Sequence, residues 1–326
     1  MTPLMSTLPQ PASTMQSSEP TIAVVLPCYN EAACIGQVIR EFKAVLPEAV
    51  VHVFDNASTD GTAAVAKAHG AQVHHVALRG KGNVIRRMFA DVEADIYVMT
   101  DGDATYDASN IREMIEGVQV HGCDMVVGVR VDDGSEANYR AGHRLGNRLL
   151  TGAAALIFGG GFTDMLSGHR VFSRRYAKSF PAMSHGFETE TELTVHALGL
   201  RMPYMELPVA YRSRPEGSVS KLSTYRDGWR ILRTILGLFT SERPLVFYSL
   251  LAAVLALTSV VLAQPLVTTY LQTGQVPRFP TAILSTGMMI SAFLSLVCGV
   301  LLRNVTLARQ EAKRLVYLAI PSARRG

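Results

Sequence analysis

At 326 residues the chain is long enough for one large domain or two ordinary ones, so core size is no obstacle to folding. The formal net charge is +4, from 31 basic against 27 acidic residues, and a mean hydropathy of +0.19 points towards membrane segments. The basic excess is local, with Lys221, Arg226, Arg230, Arg233 and Arg243 in one cluster and Arg303, Arg309, Lys313, Arg314, Arg324 and Arg325 in another, a pattern that suits an anionic membrane surface and not nucleic acid. The four cysteines, Cys28, Cys34, Cys123 and Cys298, have no paired spacing, which argues against a zinc cluster and for reduced thiols in a cytoplasmic setting.

Residues 1–20 are rich in Ser, Thr, Pro and Gln, with neither a basic n-region nor an apolar core, and read as a disordered tail. From 22 to 130, short β-branched runs (22–27, 50–54, 72–76, 96–100 and 124–129) alternate with amphipathic stretches (31–46, 60–69, 80–93 and 108–121). That alternation predicts a parallel α/β sheet with crossover helices, in which ligands bind outside the carboxyl ends of the strands. Pro27–Glu31, Asp55–Asp60 and Asp101–Asp103 all fall at such ends, so three polar clusters should converge on one rim. Residues 131–220 are less regular, with helices expected near 140–158 and 187–199 and loops around 159–170 and 212–221.

Residues 222–240 carry Tyr225, Trp229, Leu232, Leu236 and Phe239 at steps of three or four, with Arg226, Arg230 and Arg233 on another face. This is the pattern of an interfacial helix, the alternative being a surface helix packed on the preceding domain. Segments 245–263 and 282–302 contain no charged side chain, and each is about as long as a bilayer core requires. The connector 264–281 has one basic residue, Arg278, between strongly basic flanks, which predicts a hairpin with both ends cytoplasmic. The alternative is a helical hairpin buried in a soluble domain.

Asp101 and Asp103, one residue apart at a strand end, can hold Mg²⁺ or Mn²⁺ while a diphosphate supplies further oxygens. Asp55 ends a strand, where its carboxylate can accept the ring N–H of uracil or guanine; Ser58 or Thr59 could cap the next helix. Lys81 is flanked by Gly80 and Gly82, which allow close approach of backbone to phosphate, or simply form a solvated turn.

Residues 22–130 resemble the catalytic domain of inverting family 2 glycosyltransferases of the GT-A (Rossmann-like) fold, and 22–302 resembles the polyprenyl-phosphate glycosyltransferases. The match is carried by Pro27-Cys28-Tyr29-Asn30-Glu31, Asp55–Gly61, Gly80-Lys81-Gly82, Asp101-Gly102-Asp103, Gly128-Val129-Arg130, Thr163–Arg170 and Gly217–Lys221. The resemblance implies a GT-A domain over 21–221, an amphipathic interfacial helix over 222–243, a transmembrane hairpin over 244–303 and a basic tail or interfacial helix over 304–326. It implies a nucleotide pocket from Pro27, Tyr29, Glu31, Asp55, Lys81 and Asp101, with Asp101 and Asp103 at a Mg²⁺ or Mn²⁺ ion. Arg130, Arg144, Asn147 and Arg214 are expected at the acceptor phosphate, and Lys221 with Asp103 and Asp164 at the reacting groups. Asp164 is expected to position the acceptor or act as base, unless it merely braces a loop by pairing with Arg170.

One departure is Thr105, where many relatives have a glutamine that can join the metal shell. The Gln-x-x-Arg-Trp motif of processive polysaccharide synthases is absent from the sequence. The implied reaction moves a hexose from a UDP- or GDP-sugar to a polyprenyl phosphate, by a multi-pass enzyme of the inner membrane facing the cytoplasm. Self-association through the hairpin is an open option, and a different lipid or polysaccharide acceptor, or a non-catalytic adaptor, are the alternatives.

Overall fold

The computed structural model describes residues 19–132, 151, 152, 155, 159, 161–184, 186, 188–212 and 224–322. Strands β1 (Ile22–Cys28), β2 (Val50–Asp55), β3 (Gln72–His75), β4 (Ile96–Met99) and β5 (Met125–Asp132) appear where β-branched runs predict them. Between them lie α1 (Ile35–Val45), α2 (Thr62–Ala68), α3 (Lys81–Asp91) and α4 (Ile111–Gln119). After these come β6 (Arg170–Ser173), α5 (Arg174–Ser179), α6 (Thr189–Leu200) and β7 (Tyr204–Tyr211). The sheet order is β3-β2-β1-β4-β6-β5-β7, with β6 antiparallel to both neighbours and all other pairings parallel.

Alternation along β1 divides the core into two layers. Val24 and Leu26 pack with Ile35, Ile39 and Phe42 of α1 and Met114 of α4. Ala23 and Val25 face the other way, with Ile85 and Met88 of α3, Tyr176 of α5 and Leu193 of α6. Helices on both faces are what a mostly parallel sheet requires, since its strands are apolar on both sides.

Register sets the functional rim. Cys28 pairs with Asp55, so β1 and β2 end together, whereas Val25 pairs with Met99, so β4 stops three residues lower and the segment after it carries Gly102 up beside Cys28. Antiparallel β6 starts where β4 ends, Arg170 opposite Met99, which brings the preceding segment 163–169 to the same rim. Neither β6 nor β7 was expected from the sequence. The first has only four residues, and the second contains Pro208, tolerated because β7 is an edge strand.

Three helices complete the chain: α7 (Thr224–Glu242), α8 (Pro244–Thr273) and α9 (Phe279–Ala319). The expected connector 264–281 shrinks to 274–278: α8 continues through Pro265, and Gly274 ends it in a left-handed conformation, φ +67°. At about 1.5 Å per residue, α8 and α9 are roughly 45 and 60 Å long, both more than a bilayer core of about 30 Å. Their buried positions recur every seventh residue, Ala252, Ser259 and Leu266 on α8 and Ser285, Ala292, Gly299 and Thr306 on α9. A heptad seam of mainly small residues brings the helices together, and Ser259 Oγ donates to the Ser285 carbonyl at 2.7 Å. Leu250, Val254, Leu257, Val261, Ile283, Phe293 and Leu301 point outward and are exposed. Small and polar inside with apolar outside is the reverse of a soluble hairpin: the pair is not buried within this chain, and it is consistent with a transmembrane hairpin.

The segment from 304 was expected as a separate tail or interfacial helix. Up to Ala319 it is instead the continuation of α9, because charged residues end an apolar run without ending a helix. Its end docks on the sheet domain: Tyr317 Oη donates to Asp124 Oδ2 at 2.7 Å, and Arg175 Nε to the Ile320 carbonyl at 2.7 Å. On α7, Ile235 is buried against Met165 and Val195, whereas Trp229 is 68% exposed and Leu232 and Leu236 are exposed beside it.

Candidate active site at the carboxyl rim

The first two rim loops are laced together by side chains. Asn30 adopts φ +53°, and its Oδ1 accepts from the Thr59 amide at 2.8 Å while its own amide donates to Ser58 Oγ at 2.9 Å. The Glu31 amide donates to Thr62 Oγ1 at 2.8 Å and the Ala32 amide to Asp60 Oδ2 at 2.9 Å. Ser58 and Thr59 therefore serve the loop contact and do not cap α2. Asp60 takes the amide of Thr62 at 3.0 Å instead, with Gly61 preceding the helix. Asp55 is buried at the base of this crevice; its Oδ1 accepts from the Ser58 amide at 3.3 Å, and His75 Nδ1 lies 3.4 Å from Oδ2. Tyr29 lies beneath Arg79, whose guanidinium carbon is 5.2 Å from the ring centroid.

Asn56 ties the next segment to this pair. Its Nδ2 donates to the carbonyls of Val76 and Leu78 at 3.0 and 2.7 Å, and its Oδ1 accepts from the Gly80 amide at 2.7 Å. Lys81 follows and is not in a solvated turn. Its Nζ lies 2.5 Å from Asp101 Oδ1 and 2.6 Å from Glu190 Oε1 of α6. Burial opposes the ammonium charge, but Asp101 and Glu190 together outweigh it and hold the lysine well above its ordinary range.

Asp103 is buried, and its Oδ1 accepts from Thr105 Oγ1 at 2.6 Å and from the Thr105 amide at 3.2 Å. The residue that departs from the expected glutamine thus spends its hydroxyl fixing the carboxylate. Two glycines admit the aspartates: a Cβ on Gly102 would sit 2.5 Å from Cys28 Sγ, and one on Gly168 would sit 2.5 Å from Asp101 Oδ2. Behind them Tyr106 Oη accepts from the Gly168 amide at 3.2 Å and its ring stacks on His169 at 5.1 Å. Burial pushes His169 down to about 4 despite the nearby Asp101 carboxylate, so the ring is neutral at physiological pH.

Asp164 meets Arg130, not Arg170. Arg130 Nε donates to Oδ2 and Nη2 to Oδ1, both at 2.7 Å, a bidentate pair of side chains 16% and 6% exposed. The guanidinium also lies over the Tyr211 ring, 5.6 Å from its centroid. Arg170, fully buried, points the other way and donates to the carbonyls of Ser167, Met165 and Glu190 and to Thr194 Oγ1. Glu206 of β7 holds the Asp164 loop by accepting from the amides of Thr163 at 2.9 Å and Asp164 at 3.3 Å.

The rim thus gathers Pro27, Tyr29, Glu31, Asp55, Lys81, Asp101, Asp103, Arg130 and Asp164 from six separated segments. Arg144, Asn147, Arg214 and Lys221 lie outside the described residues. Glu190 and Glu206 were missed by sequence reasoning, since each partners a residue distant in sequence. Among the described residues no group of three or more His, Cys, Asp and Glu side chains converges in a metal-binding arrangement. Asp101 and Asp103 alone are a hard-oxygen donor pair, which fits an ion that takes its remaining ligands from substrate phosphates and water.

A family model described as glycosyl transferase family 2 matches residues 23–180. Glycosyltransferase AglJ of Haloferax volcanii is 34% identical over 228 residues, covering 70% of this chain and 75% of its own. A dolichyl-phosphate hexose transferase of the same organism is 26% identical over 228 residues, 68% of this chain and 95% of that protein. Among solved structures, glucosyl-3-phosphoglycerate synthase of Mycobacterium tuberculosis, in complex with Mn²⁺, UDP-glucose and phosphoglyceric acid, superposes with a TM-score of 0.56. It is 25% identical, with 68% of this chain and 80% of that chain covered. The seven-stranded mixed sheet with its aspartate rim is accordingly a GT-A fold, and the chain belongs to glycosyl transferase family 2 and is a glycosyltransferase.

Proposed function

We propose that the protein transfers a hexose from a UDP- or GDP-sugar to a polyprenyl phosphate at the cytoplasmic face of the inner membrane, with inversion at the anomeric carbon. The observation that carries this reading is the apolar hairpin with outward-facing Leu, Val, Ile and Phe, joined through one continuous helix to the catalytic unit. An enzyme built this way is positioned for a lipid acceptor. The exposed Trp229, Leu232 and Leu236 of α7 support an interfacial role for that helix. The polyprenyl acceptor is supported further by the relative named for dolichyl phosphate.

In this reading Asp55 receives the base N–H in the crevice between β1 and β2, and Tyr29 and Arg79 flank the nucleotide. Asp101 and Asp103 would hold Mg²⁺ or Mn²⁺, which supplies positive charge for the departing nucleoside diphosphate. Lys81 adds a second cation at the same place, kept charged by Glu190 when Asp101 turns to other partners. Arg130 binds the acceptor phosphate, and Asp164 orients it as a positioning residue. A carboxylate clamped on both oxygens by a guanidinium is a poor proton acceptor. None is required, because a lipid phosphate is already largely ionised at neutral pH. Rate enhancement then comes from alignment of phosphate oxygen with the anomeric carbon and from leaving-group electrostatics.

The test is nucleoside diphosphate release by detergent-purified protein across UDP- and GDP-sugars with Mg²⁺ or Mn²⁺, with and without undecaprenyl phosphate. Release that needs one donor and the lipid phosphate, and is lost in Asp103→Ala, is the expected result. Lipid-independent release, or release driven by a different lipid or a polysaccharide, would replace the polyprenyl acceptor.

A further inference from the structure

Tyr211 is the last residue of β7, and contacts from both halves of the rim converge on it. Strand β7 runs parallel to β5, with Arg130 opposite Val209 and Asp132 opposite Tyr211. Side chains two apart on a strand share a face, so Tyr211 stands diagonally beside Arg130. The Arg130 guanidinium carbon lies 5.6 Å from the Tyr211 ring centroid, within the reach of a cation–π contact. Asp164 holds the same guanidinium by a different edge, through Nε and Nη2. A carboxylate clamp alone lets the guanidinium pivot about the line joining the two groups; a ring at a fixed distance removes that pivot.

The ring is itself anchored. Tyr106, buried, meets it edge-on, with centroids 5.3 Å apart and planes at 71°. The backbones of the two tyrosines form an isolated antiparallel bridge, and the Arg212 amide donates to the Thr105 carbonyl at 2.8 Å. Arg212 Nη2 adds an ion pair to Asp107 Oδ2 at 2.6 Å. The end of an edge strand is a place where backbone frays, yet here it is stitched to residues 105–107, directly after Asp103 and Ala104. Burial, with Asp103 nearby, holds the Tyr211 phenol above its ordinary range, so the ring stays uncharged beside the aspartates. An aliphatic side chain would fill the same strand position without offering a π face to a cation.

We propose that Tyr211 is a positioning residue for the acceptor phosphate: its anchored ring sets the orientation in which Arg130 meets that phosphate. The inference rests on the assignment of Arg130 to the acceptor, proposed above, and adds how that arginine is aimed. A guanidinium already held by a carboxylate and a ring loses less freedom when the phosphate arrives, so the ring acts on acceptor affinity. Because the same turn of chain is bonded to the Thr105 carbonyl, the residue that aims Arg130 is fixed relative to the aspartates at which the donor diphosphate is proposed to sit.

The test measures nucleoside diphosphate release by the detergent-purified full chain, with the UDP- or GDP-sugar that wild type turns over. Undecaprenyl phosphate is varied at saturating donor, then donor at saturating lipid, and each variant is also melted. Tyr211→Leu should raise the acceptor KM about five- to tenfold, the range of one partly desolvated cation–π contact, and move the donor KM by less than about twofold. Tyr211→Phe, which keeps the ring, should return the acceptor KM to within about twofold of wild type. In an Arg130→Ala background, Tyr211→Leu should add no further rise, because the ring acts only through Arg130. A lower melting temperature and lower kcat at an unchanged acceptor KM would reduce Tyr211 to a brace and overturn the proposal. Additive losses in the double variant would overturn it too, as would Tyr211→Phe behaving like Tyr211→Leu. A wild type whose turnover ignores undecaprenyl phosphate would overturn the acceptor reading and this role with it. A saturable wild-type response that Tyr211→Leu leaves unshifted overturns this role alone.

Discussion

Replacing Asp164 with Asn leaves the side-chain shape nearly unchanged but sets an amide NH₂ against the Arg130 guanidinium. Two charge-assisted hydrogen bonds of 2.7 Å are weakened or lost. Breaking a buried pair costs about 3–5 kcal/mol, and losing a hydrogen bond to a charged group about 1.5–3 kcal/mol. Arg130 is partly exposed, so water can replace some of the lost contact, and the lower range applies, about 2–3 kcal/mol. The loop itself should stay in place, because Glu206 holds the amides of Thr163 and Asp164 independently of the Asp164 carboxylate. If that free energy is spent on aligning Arg130 with the acceptor phosphate, turnover should fall by about 30- to 150-fold, at roughly 1.4 kcal/mol per decade. Donor KM should change by no more than about twofold. The assay is lipid-dependent nucleoside diphosphate release at saturating donor, with a melting curve on the same sample. Unchanged turnover with a lowered melting temperature would reduce the pair to a structural brace. A loss confined to donor KM would place Arg130 on the wrong substrate.

Three further outcomes follow from distances and burial. The unfolded chain protonates an imidazole near pH 6.5, whereas folded His169 does so only near 4; between those values the unfolded state binds more protons, so stability falls as pH drops, by about 3 kcal/mol for this group. His169→Phe, which keeps the stack on Tyr106, should flatten that part of a melting-temperature profile without lowering it at neutral pH; an unaltered acid slope would refute the assignment. Thr105→Val removes the 2.6 Å bond that fixes Asp103, and the Mn²⁺ or Mg²⁺ concentration for half-maximal activity should rise by about tenfold, equivalent to about 1.4 kcal/mol; an unchanged metal titration would contradict this. Gly168→Ala places a methyl 2.5 Å from Asp101 Oδ2, so activity should drop at least about tenfold with little change in melting temperature, since the partly exposed aspartate can move aside. Full activity in that variant would mean that Asp101 tolerates displacement.

The legible part of this molecule is the part whose information is local. Strands β1 to β5 were readable because β-branched runs alternate with amphipathic ones, and the rim because Asp55 and Asp101 close such runs. Strand β6 was not readable, since four residues carry too little periodicity, and with it went the pairing of Asp164. Asp164 and Arg170 are near in sequence and suggested a brace, yet the strand beginning at Arg170 directs that guanidinium towards Thr194 and leaves Asp164 to Arg130. Glu190 and Glu206 reach the site only through tertiary contacts to Lys81 and to the 163–164 loop, for which a single sequence holds no signal. The extent of α9 failed for another reason: hydropathy marks where a helix leaves apolar surroundings, not where its backbone hydrogen bonding stops.

The most direct test of the central claim is the mass of the lipid product formed from a single nucleotide sugar and undecaprenyl phosphate. Attack by the acceptor phosphate on the anomeric carbon predicts undecaprenyl phosphate plus one hexose, with a single phosphate in the product and nucleoside diphosphate released. A product containing two phosphates, or no sugar-bearing lipid while donor is consumed, would contradict the account.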